Sequence, residues 1–171
     1  GIGCAGGIDI TAKGSYEQTT PEKGAVAFEL KVSGLQGGHS GMDIIKGLGN
    51  ANKIMNRLLF EASDKYAAQV SEIKGGGLRN AIPRESVAKI ALAGVSVEDF
   101  LAGMDEFSEE IKSEYRSLEP KLNISITPTD VPSKVMSATA QHKLLRGLYV
   151  AQNGVFRMSP EIEGLVETSN N

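Results

Sequence analysis

Two spacings of apolar residues alternate along this 171-residue chain, and their order limits the fold more than any other feature. Val26, Phe28, Leu30 and Val32 alternate with Ala27, Glu29 and Lys31. That period of two predicts a half-buried strand. From Met42 the step changes to three and four. Ile44, Ile45, Leu48, Ala51, Ile54, Met55, Leu58 and Leu59 predict one long amphipathic helix ending near Lys65. "QVSEIKGGGLRN" predicts a short strand running into glycines. After Pro83 the run "ESVAKIALAG" alternates again, with Ala88, Ile90 and Leu92 on one face. "SVEDFLAGMDEFSEEIKSEYRS" predicts a second helix, with Ser96 as its N-cap and Glu98 and Asp99 in the positive first turn. Phe100, Leu101, Met104, Phe107, Ile111 and Tyr115 form its buried stripe. "LNISITPTD" is the next strand. A third helix over about 138–152 stops at Asn153 and Gly154, and "GLVETSNN" reads as the first half of a strand.

The order β-α-β-β-α-β, with a helix and a strand start behind it, predicts the α/β (α+β) class. The expected architecture is a two-layer ferredoxin-like βαββαβ sandwich: an antiparallel sheet with both helices on one face, plus an extra C-terminal helix. Such a sheet leaves one face and two edges to be covered by a partner domain or a second copy.

Composition narrows the partners. A net charge of -3 gives no basic face for nucleic acid. No apolar run approaches the roughly 20 residues of a helical membrane span. The opening "GIGCAGGIDI" lacks the basic region and long apolar core of a signal peptide. The lone Cys4 can form no internal disulfide, which fits a reducing, cytoplasmic setting. Both ends read as cut in mid-element, so the chain is expected to be an excised piece of a longer protein.

Chemistry is sparse. A catalytic zinc takes about three ligands from His, Cys, Asp or Glu. His39, His142 and Cys4 are widely separated, and no HExxH, CxxC or HxD occurs, so no metal site is expected within this chain. There is no GxSxG elbow for a nucleophilic serine. "GLQGGHSG" lacks the Lys-Ser/Thr of a phosphate-binding P-loop. Two segments remain. In "GLQGGHSGMDI", Gly37, Gly38 and Gly41 free the backbone for positive φ and close approach, and His39 projects from a strand-to-helix turn. At the positive end of a long helix the imidazolium is disfavoured, and a neutral ring there can steady a developing oxyanion. It can equally be a turn residue that caps the helix. In "KGGGLRNAIP", Asn80 can offer its amide N–H groups to a carboxylate, or can simply tip a crossover turn. His142, beside Gln141 and Lys143, reads as part of a solvated helix face.

Taken together, "IGCAGGID", "VSGLQGGHSGMDI", "GLGNANKIMNRLL", "GGGLRNAIPRE" and "NGVFRMSPEIEGLVETSNN" resemble the aminoacyl-histidine dipeptidases. These are the Xaa-His, cytosol non-specific or carnosinase-like dipeptidases among the co-catalytic zinc exopeptidases. The motifs run in order from one end of the chain to the other. The resemblance implies two domains: a catalytic one with two zinc ions, and an inserted lid that often mediates dimerisation. Residues 1–171 correspond to the lid, with 1–12 and 164–171 as connections to a catalytic domain that carries the zinc ligands. It also implies that His39 contacts substrate near the scissile carbonyl, in its own or a partner subunit, and that Asn80 binds substrate at its C-terminal carboxylate.

The implied activity is metal-assisted hydrolysis of short dipeptides. Zinc would supply hydroxide near neutral pH, a glutamate would shuttle the proton, and His39 would stabilise the oxyanion once the lid closes. The implied partners are the chain's own catalytic domain, a dipeptide and a second copy, with no nucleic acid and no membrane. The fragment alone is expected to be inactive. The competing expectation is a non-enzymatic ferredoxin-like dimerisation or small-anion-binding module.

Overall fold

The computed structural model describes residues 6–171, so Cys4 and the start of the "GCAGG" run lie outside the described residues. In chain order the elements are β1 (Gln18–Thr19), β2 (Val26–Ser33), β3 (Gly38–His39), a single 3-10 turn (Ile44–Lys46), α1 (Ala51–Tyr66), β4 (Gln69–Gly75) and β5 (Ala81–Ile82). Then come β6 (Ser86–Leu92), α2 (Val97–Tyr115), β7 (Asn123–Thr129), β8 (Val135–Met136), α3 (Ala138–Val150), β9 (Gly154–Met158) and β10 (Val166–Asn170).

The main sheet has the order β4-β6-β2-β7, and every neighbouring pair is antiparallel. This is the expected ferredoxin-like arrangement. β2 lies inside it, with Phe28 opposite Ile90 and Pro128, and Leu30 opposite Ala88 and Ile126. Phe28, Leu30 and Val32 point into a core shared with both long helices. Glu29 and Lys31 face the other way, and Glu29 stands opposite Lys89. Period two therefore gives one buried face and one half-buried face, with Ala27 buried on the second and Val26 exposed at the strand's start.

α2 follows its sequence pattern closely. Ser96 Oγ accepts the Asp99 N–H at 3.2 Å, and Phe100, Met104 and Ile111 are fully buried. Phe107 and Tyr115 pack partly against the core. Phe100 is the hub, with Phe28 at 5.3 Å and Tyr66 edge-on at 5.4 Å between ring centroids. Leu101 is a correction: it is 37% exposed, because it lies about 100° round the helix from the buried stripe.

α1 is the larger correction. The predicted helix from Met42 is broken. Only Ile44–Lys46 makes a turn, and Gly47 ends it in the left-handed region at φ +66. The helix proper begins after Asn50, whose Oδ1 accepts the N–H groups of Asn52 and Lys53 at 3.0 and 3.3 Å. Two glycines, Gly47 and Gly49, weaken any helix through this stretch, and an asparagine follows that prefers the cap to the interior. Ile45 is exposed and Leu48 only half-buried, so the stripe begins at Ala51.

α3 packs on α1, where Asn56 Nδ2 donates to the Leu145 carbonyl at 3.1 Å. It ends at Val150, two residues short of the expected 152. Lys53 Nζ donates to the carbonyls of Leu148, Tyr149 and Ala151, at 2.7, 2.9 and 2.9 Å, and so caps the negative end of α3. The trailing strand is real: β10 pairs antiparallel with β9, a strand the sequence pattern did not announce.

Candidate functional site

The site is built from two glycine-rich loops that meet. After β2 the chain turns through Gly34 and Gly37, at φ +78 and +65. Gly38 and His39 then form β3 and pair antiparallel with Ile82 and Ala81 of β5. Ser40 N–H extends the contact to the Asn80 carbonyl at 2.9 Å. This two-residue ladder brings the histidine loop and the asparagine loop side by side. Of Gly37, Gly38 and Gly41, only Gly37 takes positive φ. A side chain on Gly38 would meet the Asp43 Cβ at 2.7 Å, and one on Gly41 would press the imidazole at 3.3 Å.

His39 is held from both of its ends. Its backbone N–H donates to Asp43 Oδ2 at 2.7 Å, and its carbonyl accepts the Asp43 N–H at 2.9 Å. Its ring Nδ1 accepts the N–H groups of Gly41 and Met42 at 3.0 and 3.2 Å. An Nδ1 that accepts twice carries no proton, so the ring proton belongs on Nε2 of this exposed side chain. The expected cause is absent: α1 starts only at Ala51, so His39 does not stand at a helix N-terminus. Asp43 also pairs with Lys46 at 2.6 Å. The Lys46 hydrogen bond first, and the His39 N–H second, hold its carboxyl below the ordinary value.

Asn80 is exposed at the tip of the loop before β5. The segment is anchored from the chain's far end, where Asn171 Nδ2 donates to the Ala81 carbonyl at 2.9 Å. His39 and Asn80 both line a cleft of about 610 Å3, with Ser40, Arg79 and parts of 6–11 and 169–171. Arg79 was not picked out by sequence spacing. It pairs with Asp9 across the cleft at 2.8 Å, and only its place beside Asn80 could have suggested it. A larger cleft of about 950 Å3 lies along α1, α3 and β4. It holds no histidine, and Lys53, on its wall, is already tied to three carbonyls. His142 is exposed on α3, on the solvated face expected for it.

Among the described residues no group of three or more His, Cys, Asp or Glu side chains could hold a metal ion. The donor set of the described residues does not fit zinc. No helix among them is long and apolar enough to cross a membrane.

Residues 21–119 match the peptidase dimerisation domain family. The chain belongs to that family. The chain is 36% identical over 170 residues to the cytosol non-specific dipeptidase of Escherichia coli (strain K12). That alignment takes in 99% of this chain and 35% of the relative. It superimposes on aminoacylhistidine dipeptidase from Vibrio alginolyticus with a TM-score of 0.84 and 36% identity, over 90% of this chain and 31% of that one. The chain thus spans about a third of the length of each relative.

Proposed function

We propose that this chain is the lid and dimerisation domain of a zinc-dependent dipeptidase that hydrolyses Xaa-His and other short dipeptides, and that it is inactive without its catalytic domain. The observation that carries the reading is the β3–β5 ladder. It holds the exposed side chains of His39 and Asn80 on the walls of one cleft. Family membership and the printed names of the two relatives support the reaction class.

On this reading residues 1–12 and 164–171 connect to the catalytic domain, whose side chains hold two zinc ions. A metal held by that domain would supply the hydroxide near neutral pH. The chain's own share is positioning and charge stabilisation. His39 Nε2–H donates to the scissile carbonyl oxygen as negative charge grows on it, in its own or a partner subunit of a homodimer. Asn80 donates its amide N–H to the substrate's C-terminal carboxylate. A cytoplasmic location is part of the proposal and follows the name of the Escherichia coli relative.

The test is a panel of dipeptides, including β-alanyl-histidine, offered to the full-length protein and to residues 1–171 alone. The full-length protein is expected to cleave dipeptides in a metal-dependent way, and the isolated domain to cleave none. Turnover by the isolated domain, or a full-length protein inert toward every dipeptide, sinks the proposal.

A further inference from the structure

Glu119 is the one charged side chain among the described residues that is fully buried, at 2% exposure. No ion pair of those residues includes it. Its partners are backbone. Oε2 accepts the Gln36 N–H at 2.8 Å, and Oε1 accepts the Gly49 N–H at 2.9 Å. Burying a carboxylate without a cation is costly, and such N–H donors are what compensates it.

The two donors stand at opposite ends of the loop that carries His39. Other contacts fasten the same loop to the turn between α2 and β7. Gln36 Nε2 donates to the Leu118 carbonyl. Gly34 lies so close to the Lys121 carbonyl that a side chain there would sit 2.0 Å from it. Gly49 leaves just the room Glu119 needs, since a methyl would fall 2.8 Å from Leu35 Cδ2 and 3.4 Å from Glu119 Cγ. The middle of the loop is set by β5 and by Asp43, and its two ends are set by one carboxylate.

We propose that Glu119 is a positioning residue for His39: by clamping both ends of the loop, its carboxylate fixes where the imidazole Nε2 points. The proposal rests on the reading of His39 as a substrate-facing group. It has a readout that does not depend on activity. The chain has only two histidines, so long-range 1H–15N spectra of residues 1–171 resolve both rings. His39 is expected in the Nε2–H tautomer, and exposed His142 as a tautomer average.

Glu119→Gln keeps the shape but leaves one loop N–H facing an amide NH2. It is expected to move the His39 ring signals toward the averaged pattern and to leave those of His142 in place. Glu119→Asp is expected to restore part of the His39 pattern. Gly49→Ala crowds the clamp without changing charge and is expected to shift His39 in the same sense. It serves as the deciding variant if Glu119→Gln does not fold. An unchanged His39 tautomer overturns the proposal and leaves Glu119 a purely structural tie. In the full-length protein, Glu119→Gln is expected to lower kcat by about 10-fold to 100-fold with little change in KM. If the tautomer moves as expected but His39→Ala leaves turnover intact, the functional reading of His39 fails and the positioning stands.

Discussion

His39 uses one ring nitrogen on the backbone N–H groups of Gly41 and Met42 and keeps the other free. Removing a single hydrogen-bond donor to a developing oxyanion costs about 10²- to 10³-fold in kcat. His39→Ala in the full-length protein is therefore expected to lower kcat by that order while the urea midpoint stays nearly fixed, because the side chain is exposed. Asp43 carries the pH dependence of the loop. Its folded pKa lies below the ordinary 3.8, so its contribution is fully present above that value and is lost as pH falls through the lower folded one. The His39 backbone amide signal, held by Asp43 Oδ2, is expected to stay fixed down to about pH 4 and to move below it. Asp43→Asn should displace it at every pH. His39 and Asn80 could be named as candidates because each sits in a glycine-rich motif, and the motifs taken together carry the resemblance. Glu119 could not: a glutamate just past an amphipathic helix reads as solvated, and nothing in its spacing tells that two distant N–H groups converge on it.

α2 could be read from the sequence almost whole, since its cap, its first-turn acids and its stripe all agree. α1 could be read only in its second half. Apolar residues keep a helical step from Ile44 onward, and periodicity does not register that Gly47 takes φ +66. The glycines at 47 and 49 and the asparagine at 50 held that information, as a stop followed by a cap. Asn50 does more than cap, for its Nδ2 donates to Asn153 Oδ1 at 2.7 Å and it is buried. Asn50→Ala is therefore expected to cost about 1–2 kcal/mol, read as a lower urea midpoint with an unchanged slope. β3 and β5 were invisible to pattern reading. Two residues cannot show a period of two, and each strand exists only because the other loop arrives beside it.

For the molecule as a whole, the order of periods was enough to foresee the βαββαβ frame and its antiparallel pairing. The small pairings outside that frame, β1 with β8 and β9 with β10, were not foreseen, because short ribbons bury too little apolar surface to mark the sequence. The frame converges on Phe100, where β2, α1 and α2 meet. Phe100→Ala is expected to cost about 3–5 kcal/mol, measured by urea denaturation of residues 1–171. β2 and the site ladder differ sharply in how they are tied down. β2 is paired over seven residues on each side, whereas β3 and β5 share two. Amide protons of β2 should therefore exchange with solvent only when the whole sheet opens, and those at the β3–β5 crossing far sooner. The histidine can thus be released and reseated many times within the lifetime of one folded molecule, on a frame that does not move with it.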